Sequence, residues 1–171
     1  RFRRQRQMCI RDSYRGFLIS AGFLFSESSM IEDVPYDPNL YFEGEETTMS
    51  LRLFTNGYDV FHIPKIPLFH CYVDYSNSAK RPMHWNEEED KDRAIKWTDL
   101  QSKSKKRIER IIHQDLTNIY GLGTSRTLND YKNFTGIDIK NKKIVDEENA
   151  FSFKKLYEFD WKKSQKKTFL W

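Results

Sequence analysis

Apolar and polar positions follow three different rhythms along this chain, and each rhythm predicts a different element. Residues 14–25, YRGFLISAGFLF, form a nearly continuous apolar run. Its length and its Phe and Ile content predict a buried strand, with Ala21-Gly22 letting another group approach the backbone closely. Residues 26–40 are rich in turn formers, with Pro35 and Pro38, and predict a loop. From Gly44 the spacing turns helical: Met49, Leu53 and Phe54 share one face, Leu51 lies at its margin, and Arg52 is expected to point away. Asn56-Gly57 predicts the stop, with Gly57 as the left-handed residue after the last turn. Residues 58–63 alternate as a strand and residues 66–72 predict another.

Residues 72–99 are long, polar and charged, with Trp85 and Trp97 set among them; a connection of that length predicts a lid, a binding loop or disorder. Residues 104–116 predict an amphipathic helix with Ile108, Ile111, Ile112 and Leu116 inward. Thr127 with Asp130 three residues later spells a capping box for a short helix that Gly136 ends. The expected class is α/β.

Composition changes this picture in two places. The chain has 171 residues, enough for one domain with a real core, and 15% of them are aromatic. Its net charge is +4, but residues 1–13 hold five Arg and one Asp, so residues 14–171 sum to zero. Overall basicity therefore gives no footing to nucleic-acid binding, and none is expected. The stretch RRQRQMCIRDS, residues 3–13, resembles the conceptual translation of a sequencing adapter; a basic, disordered arm is the other reading. Cys9 lies in it, which leaves Cys71 as a lone thiol in an apolar stretch, with no disulfide framework or zinc spacing. No run reaches the roughly 18 apolar residues of a membrane span, and no apolar segment follows the basic start as in a signal peptide. A cytoplasmic setting is expected.

Glu43, Glu45 and Glu46 crowd around Gly44 where the first long helix begins. Acids in a first turn offset the positive end of the helix dipole, for about 0.3–1 kcal/mol each. That accounts for Glu45 and Glu46, but not for Glu43 or for the aromatic pair Tyr41-Phe42 before it.

The blocks SAGFLFSES, VPYDPNLYFEGEETTMSLRLFTNGYDVFHIPKIPLFHCY and YGLGTSRTLNDYKNFTGIDI, in this order, resemble the glycosyltransferases that add α-linked N-acetylglucosamine (GlcNAc) to hydroxyproline, and their bacterial relatives. The resemblance covers roughly residues 14–140. More distantly, YFEGEETTMSLRLF is similar to a segment of the polypeptide GalNAc-transferases, which sets Glu45 and Arg52 against a Glu and an Arg of that family, and Phe69-His70-Cys71 is similar to the stretch that holds its manganese-ligating His. The resemblance implies a GT-A fold, an α/β sandwich holding a UDP-sugar and a divalent cation.

Several roles follow from that likeness. His70, on the stretch IPLFHCY, becomes the candidate metal ligand for Mn2+ or Mg2+; a hydrogen-bonded core histidine is the plainer reading. His62 reads as structural. Glu45 is the candidate at the reacting centre, where a carboxylate can accept hydrogen bonds and steady positive charge on the sugar, with Glu46 and Glu43 behind it. Gly22 and Gly44 are candidates for close approach to the donor, or for ordinary turn packing. Asp37, Tyr41 and Phe42 are placed to line the acceptor side; Arg81 and Trp85, in the lid candidate, to meet phosphate and sugar. The donor implied is UDP-GlcNAc, transferred with retention to a hydroxyl of a protein (hydroxyproline, Ser or Thr) or a glycan.

The Asp-x-Asp motif of such enzymes belongs after an earlier strand. Asp138 lies after His70 and has no second Asp at that spacing. The expected organisation is an adapter-like or disordered 1–13, the acceptor and catalytic half of a GT-A domain over 14–72, a lid over 73–100, a helical extension over 101–150 and an aromatic, basic tail over 151–171. Such a piece is expected to be inactive alone. The rival readings are a non-catalytic module whose Lys-rich tail contacts nucleic acid or anionic lipid, and a GT-A transferase for another sugar.

Overall fold

The structure, a computed structural model, describes residues 14–62, 83–151, 154–155 and 166–170. The apolar run that predicts one strand yields two short ones, β1 (Tyr14–Gly16) and β2 (Leu24–Ser26), joined through an exposed Ala21-Gly22 turn. Only Ile19 of the connection is fully buried; Ser20, Ala21 and Gly22 offer too little apolar surface to continue a strand. β3 (Tyr58–His62) pairs antiparallel with β1 in the register Tyr14 to His62. A Cβ on Gly16 would sit 1.9 Å from the His62 ring, so glycine is what lets these strands close.

The sheet order is β2-β7-β3-β1-β6, with β6 at Lys154–Lys155 and β7 at Lys166–Leu170. The β3–β7 pair is parallel and the other pairs are antiparallel. Residues 166–170 thus have their backbone committed between β2 and β3, where the rival reading has a free basic tail. The small strands β4 (Ile137–Asp138) and β5 (Lys143–Ile144) pair separately. Mixed helices and strands make the class α/β.

The loop predicted over 26–40 contains a short helix, α1 (Ser29–Asp33). The central helix α2 (Glu45–Thr55) is buried from Thr48 to Thr55 on every side. One side joins Ile19, Met30, Val34, Met49, Leu53, Tyr58 and Val60; the other brings Leu51 and Phe54 against Ile112 and Tyr131. A helix enclosed all round cannot keep a solvent face, so Arg52, expected to point away, is 1% exposed. The helix interior also carries hydroxyls that tie loops to it. Ser50 Oγ accepts the Ile19 N–H at 2.8 Å, and Thr55 Oγ1 accepts the Gly123 N–H at 2.9 Å. Gly57 has φ +87° and follows the last turn as the sequence predicts.

Beyond α3 (Glu87–Asp90), the long amphipathic helix α4 runs over Trp97–Ile112, starting seven residues before its predicted start of 104. Polar residues at its start hid it from a hydrophobic pattern. Of its predicted inward set, Ile111 and Ile112 are buried and Ile108 packs on the core; Leu116 is buried too, but the helix stops at Ile112, short of the predicted 116. α5 (Leu128–Thr135) has the predicted capping box, Thr127 Oγ1 accepting the Asp130 N–H at 3.0 Å while Asp130 accepts the Thr127 N–H at 2.7 Å, and Gly136 ends it at φ +72°. α6 (Glu147–Phe151) follows. No helix among the described residues is long and apolar enough to cross a membrane.

Candidate functional site

The loop that enters α2 is anchored at Asp37. Its carboxylate is wholly buried; Arg107 Nε of α4 donates to Oδ2 at 2.6 Å and the Asn39 N–H donates to Oδ1 at 3.0 Å. Burial by itself would raise this carboxyl, but the hydrogen bonds from Arg107 and Asn39 outweigh it and hold the group below its ordinary value. Arg52 lies beside it, Nη2 donating to the Ile119 carbonyl at 3.0 Å, while its Nε has no partner among the described residues. Burial draws its guanidinium below the ordinary value, against the pull of Asp37. The Tyr120 ring takes both guanidinium groups on its face, Arg52 at 5.8 Å and Arg107 at 5.5 Å. Asp37 is therefore a brace between this loop and α4, with no surface turned to an acceptor.

Four residues on, the loop is held by its backbone. The Tyr41 N–H donates to Ser104 Oγ of α4 at 3.0 Å. Phe42 then adopts φ +54°, a left-handed conformation that costs a non-glycine residue about 1–2 kcal/mol. Gly44 has φ +79°, and a Cβ there would stand 2.3 Å from Ile108 Cδ1. Ile108 fills the space over Gly44.

Tyr41, Phe42 and Glu43 line a cavity of about 270 Å3 together with His84, Trp85, Trp97 and Gln101. Tyr41 hydroxyl and His84 Nδ1 share a hydrogen bond. The Phe42 and Trp85 rings lie 4.9 Å apart at 32°, and His84 stands edge-on to both, at 4.9 Å and 4.5 Å. Glu43 is half exposed, with Lys105 Nζ 3.8 Å from it. The structure thus brings Tyr41, Glu43 and Trp85 to one place.

Glu45 and Glu46 begin α2 just beyond this cavity and face other partners. Partial burial and the nearby Glu45 and Glu46 carboxylates push the Tyr36 phenol up to about 12. Glu46 Oε1 accepts the Ala21 N–H at 2.6 Å, which fastens the helix start to the β1–β2 connection. Gly22, next to it, is exposed, and a Cβ there would meet only Ser20 Oγ, in ordinary contact at 3.8 Å.

His70 and Arg81, with the strand predicted over 66–72, lie outside the described residues, as does Cys71. His62 is partly buried, and burial lowers its pKa against a hydrogen bond to the Leu18 backbone that raises it. Among the described residues no three His, Cys, Asp or Glu stand together so as to hold a metal ion. The chain does spell one Asp-x-Asp, Asp90-Lys91-Asp92. Asp90 is buried and both its oxygens accept the Trp97 N–H at 3.2 Å, which caps α4; Asp92 is exposed. His84 and Gln101 are the cavity residues that sequence reading misses. A His-Trp pair in an otherwise charged stretch is the signal that marks the first; Gln101 carries none.

Neither the curated proteins nor the solved structures contain a match to this chain. The family model described as Glycosyltransferase (GlcNAc) matches residues 2–141, a span that contains the whole adapter-like stretch 3–13 and takes in α2, the cavity, α4 and α5. With most of its length in that match, the chain belongs to the GlcNAc glycosyltransferase family.

Proposed function

We propose that the protein transfers GlcNAc from UDP-GlcNAc to a hydroxyl acceptor with retention of configuration, as a relative of the hydroxyproline-modifying enzymes with a GT-A fold. The observation that carries this reading is the junction at the start of α2. There the acidic turn of Glu45 and Glu46 is fixed to the β1–β2 connection on one side and continues into an aromatic cavity through Glu43, Phe42 and Tyr41. A sugar transferase needs such a neighbourhood: carboxylates to receive sugar hydroxyls, aromatic faces for pyranose rings, and an enclosed acceptor.

In the transfer, the acceptor oxygen bonds to the anomeric carbon on the face from which the diphosphate oxygen departs. The acceptor proton passes to the departing diphosphate and UDP leaves. Glu45 stabilises positive charge on the ring, and Glu46 keeps the helix start in place. The divalent cation of this proposal, Mn2+ or Mg2+, would neutralise the diphosphate, with His70 as candidate ligand. The described residues do not supply the remainder of a cation site, so no step of the transfer is assigned to it.

The test is a transfer assay with labelled UDP-GlcNAc and Mn2+, using the chain with any coding sequence that adjoins it and three acceptors: a hydroxyproline peptide, a Ser/Thr peptide and an oligosaccharide. GlcNAc transfer that Glu45→Gln reduces at least about a hundredfold is expected. Transfer of another sugar in preference, or none with any acceptor, overturns the reading.

A further inference from the structure

Phe42 is 55% exposed on a left-handed backbone. A glycine there would remove both the exposed apolar ring and the strain. Strain retained beneath an exposed aromatic marks a surface that contacts something. Its neighbours say what. The Phe42–Trp85 pair offers a broad apolar face, while His84, Glu43 and Gln101 interleave polar groups with it and Trp97 adds a further ring. The volume, about 270 Å3, is just below the roughly 300–1,000 Å3 that hold drug-sized ligands and gives room for one ring. Among the described residues no Lys or Arg lines the cavity and one carboxylate does, which disfavours a diphosphate. A purely apolar guest would strip water from Glu43 and Gln101 without replacing their hydrogen bonds. A neutral ring with an apolar face and several hydroxyls satisfies both halves of the lining.

Resting on the transferase reading above, we propose that this cavity binds one neutral pyranose of the acceptor, so that the acceptor is a saccharide, its ring stacked on the Phe42–Trp85 pair and its hydroxyls on Glu43, Gln101 and His84. Donor is not needed for this binding. The test therefore titrates the chain, without donor or metal, with methyl glycosides of GlcNAc, galactose, glucose and mannose, with a hydroxyproline peptide and with UDP-GlcNAc. Tryptophan fluorescence and saturation-transfer NMR are the readouts. Expected is saturable binding of at least one glycoside, weakened about tenfold by Phe42→Gly while the melting temperature stays level or rises. Should that variant not fold, Trp85→Ala, at an exposed position, must weaken binding similarly. The proposal is overturned if no glycoside binds, if both variants bind as the parent does, or if only the peptide or only UDP-GlcNAc shows binding that Phe42→Gly weakens. Those results leave GlcNAc transfer standing; absence of transfer in the preceding assay, with glycoside binding intact, sinks the transferase reading alone.

Discussion

Asp37 and Phe42 lie five residues apart on one loop and are treated in opposite ways. Asp37 is sealed in, its charge met by Arg107 and its second oxygen by Asn39. Phe42 stands out in solvent on a strained backbone. The two ends are connected physically, because both are fixed to α4: Asp37 through Arg107, and Tyr41 through Ser104. A short loop held at two points on a long helix can keep an unfavourable conformation at its third. The comparison teaches that the buried end has the role of a clamp and the exposed end the role of a contact, although both are polar or aromatic residues in the same turn-rich sequence.

Removing the clamp is expected to have the largest effect. Asp37→Asn leaves the Arg107 guanidinium, 16% exposed, without its counter-charge. Breaking such a pair costs about 3 kcal/mol or more, seen as a lowered urea midpoint at unchanged m. Its pH dependence follows from the lowered Asp37 pKa. Stability from this group is fully present above the unfolded carboxyl value and is lost as pH falls through the lower folded value. The parent should therefore lose stability in acid over that window, and the variant should lack that part of the loss.

Next in size is Gly44→Ala, at the hinge between cavity and helix. The positive φ costs about 1–2 kcal/mol for a side chain, and the new Cβ meets the end of Ile108. Since the crowding is with a terminal methyl, Ile108→Val should recover part of the loss, and a double-mutant cycle by thermal unfolding reads the coupling. An additive cycle would mean that only the backbone conformation matters.

Away from both ends, Thr127→Ala should cost about 1 kcal/mol, the worth of an N-cap, and leave glycoside binding untouched. That cap was legible because its signal is local: a hydroxyl and a carboxylate three residues apart, then a glycine at the far end. Gly57 was legible for the same reason. Arg52 was not, because helical spacing assumes one wet face, and α2 has none from Thr48 to Thr55. Nor was the inward turn of Asp37, whose partner lies 70 residues away. The cavity was half legible. Tyr41 and Trp85 could be suspected from their types, but only the third dimension sets His84 edge-on to both Phe42 and Trp85 and draws Gln101 in from α4.

The smallest expected effect on stability is also the one that separates clamp from contact most sharply. Tyr41→Phe keeps the ring, whose centroid lies 5.1 Å from that of His84, and deletes only the hydroxyl bonded to His84 Nδ1. Loss of one partly buried hydrogen bond costs about 0.5–1 kcal/mol. If His84 belongs only to the clamp, that loss appears in unfolding and nowhere else. If His84 presents its other nitrogen to a sugar hydroxyl, losing the group that fixes its ring must also weaken glycoside binding, by about threefold for a partly freed imidazole. Titration of the variant with the glycoside that binds the parent decides between them. An affinity equal to the parent's, with stability lowered, would return His84 to the structural side of the loop and leave the Phe42–Trp85 pair as the sugar's principal support.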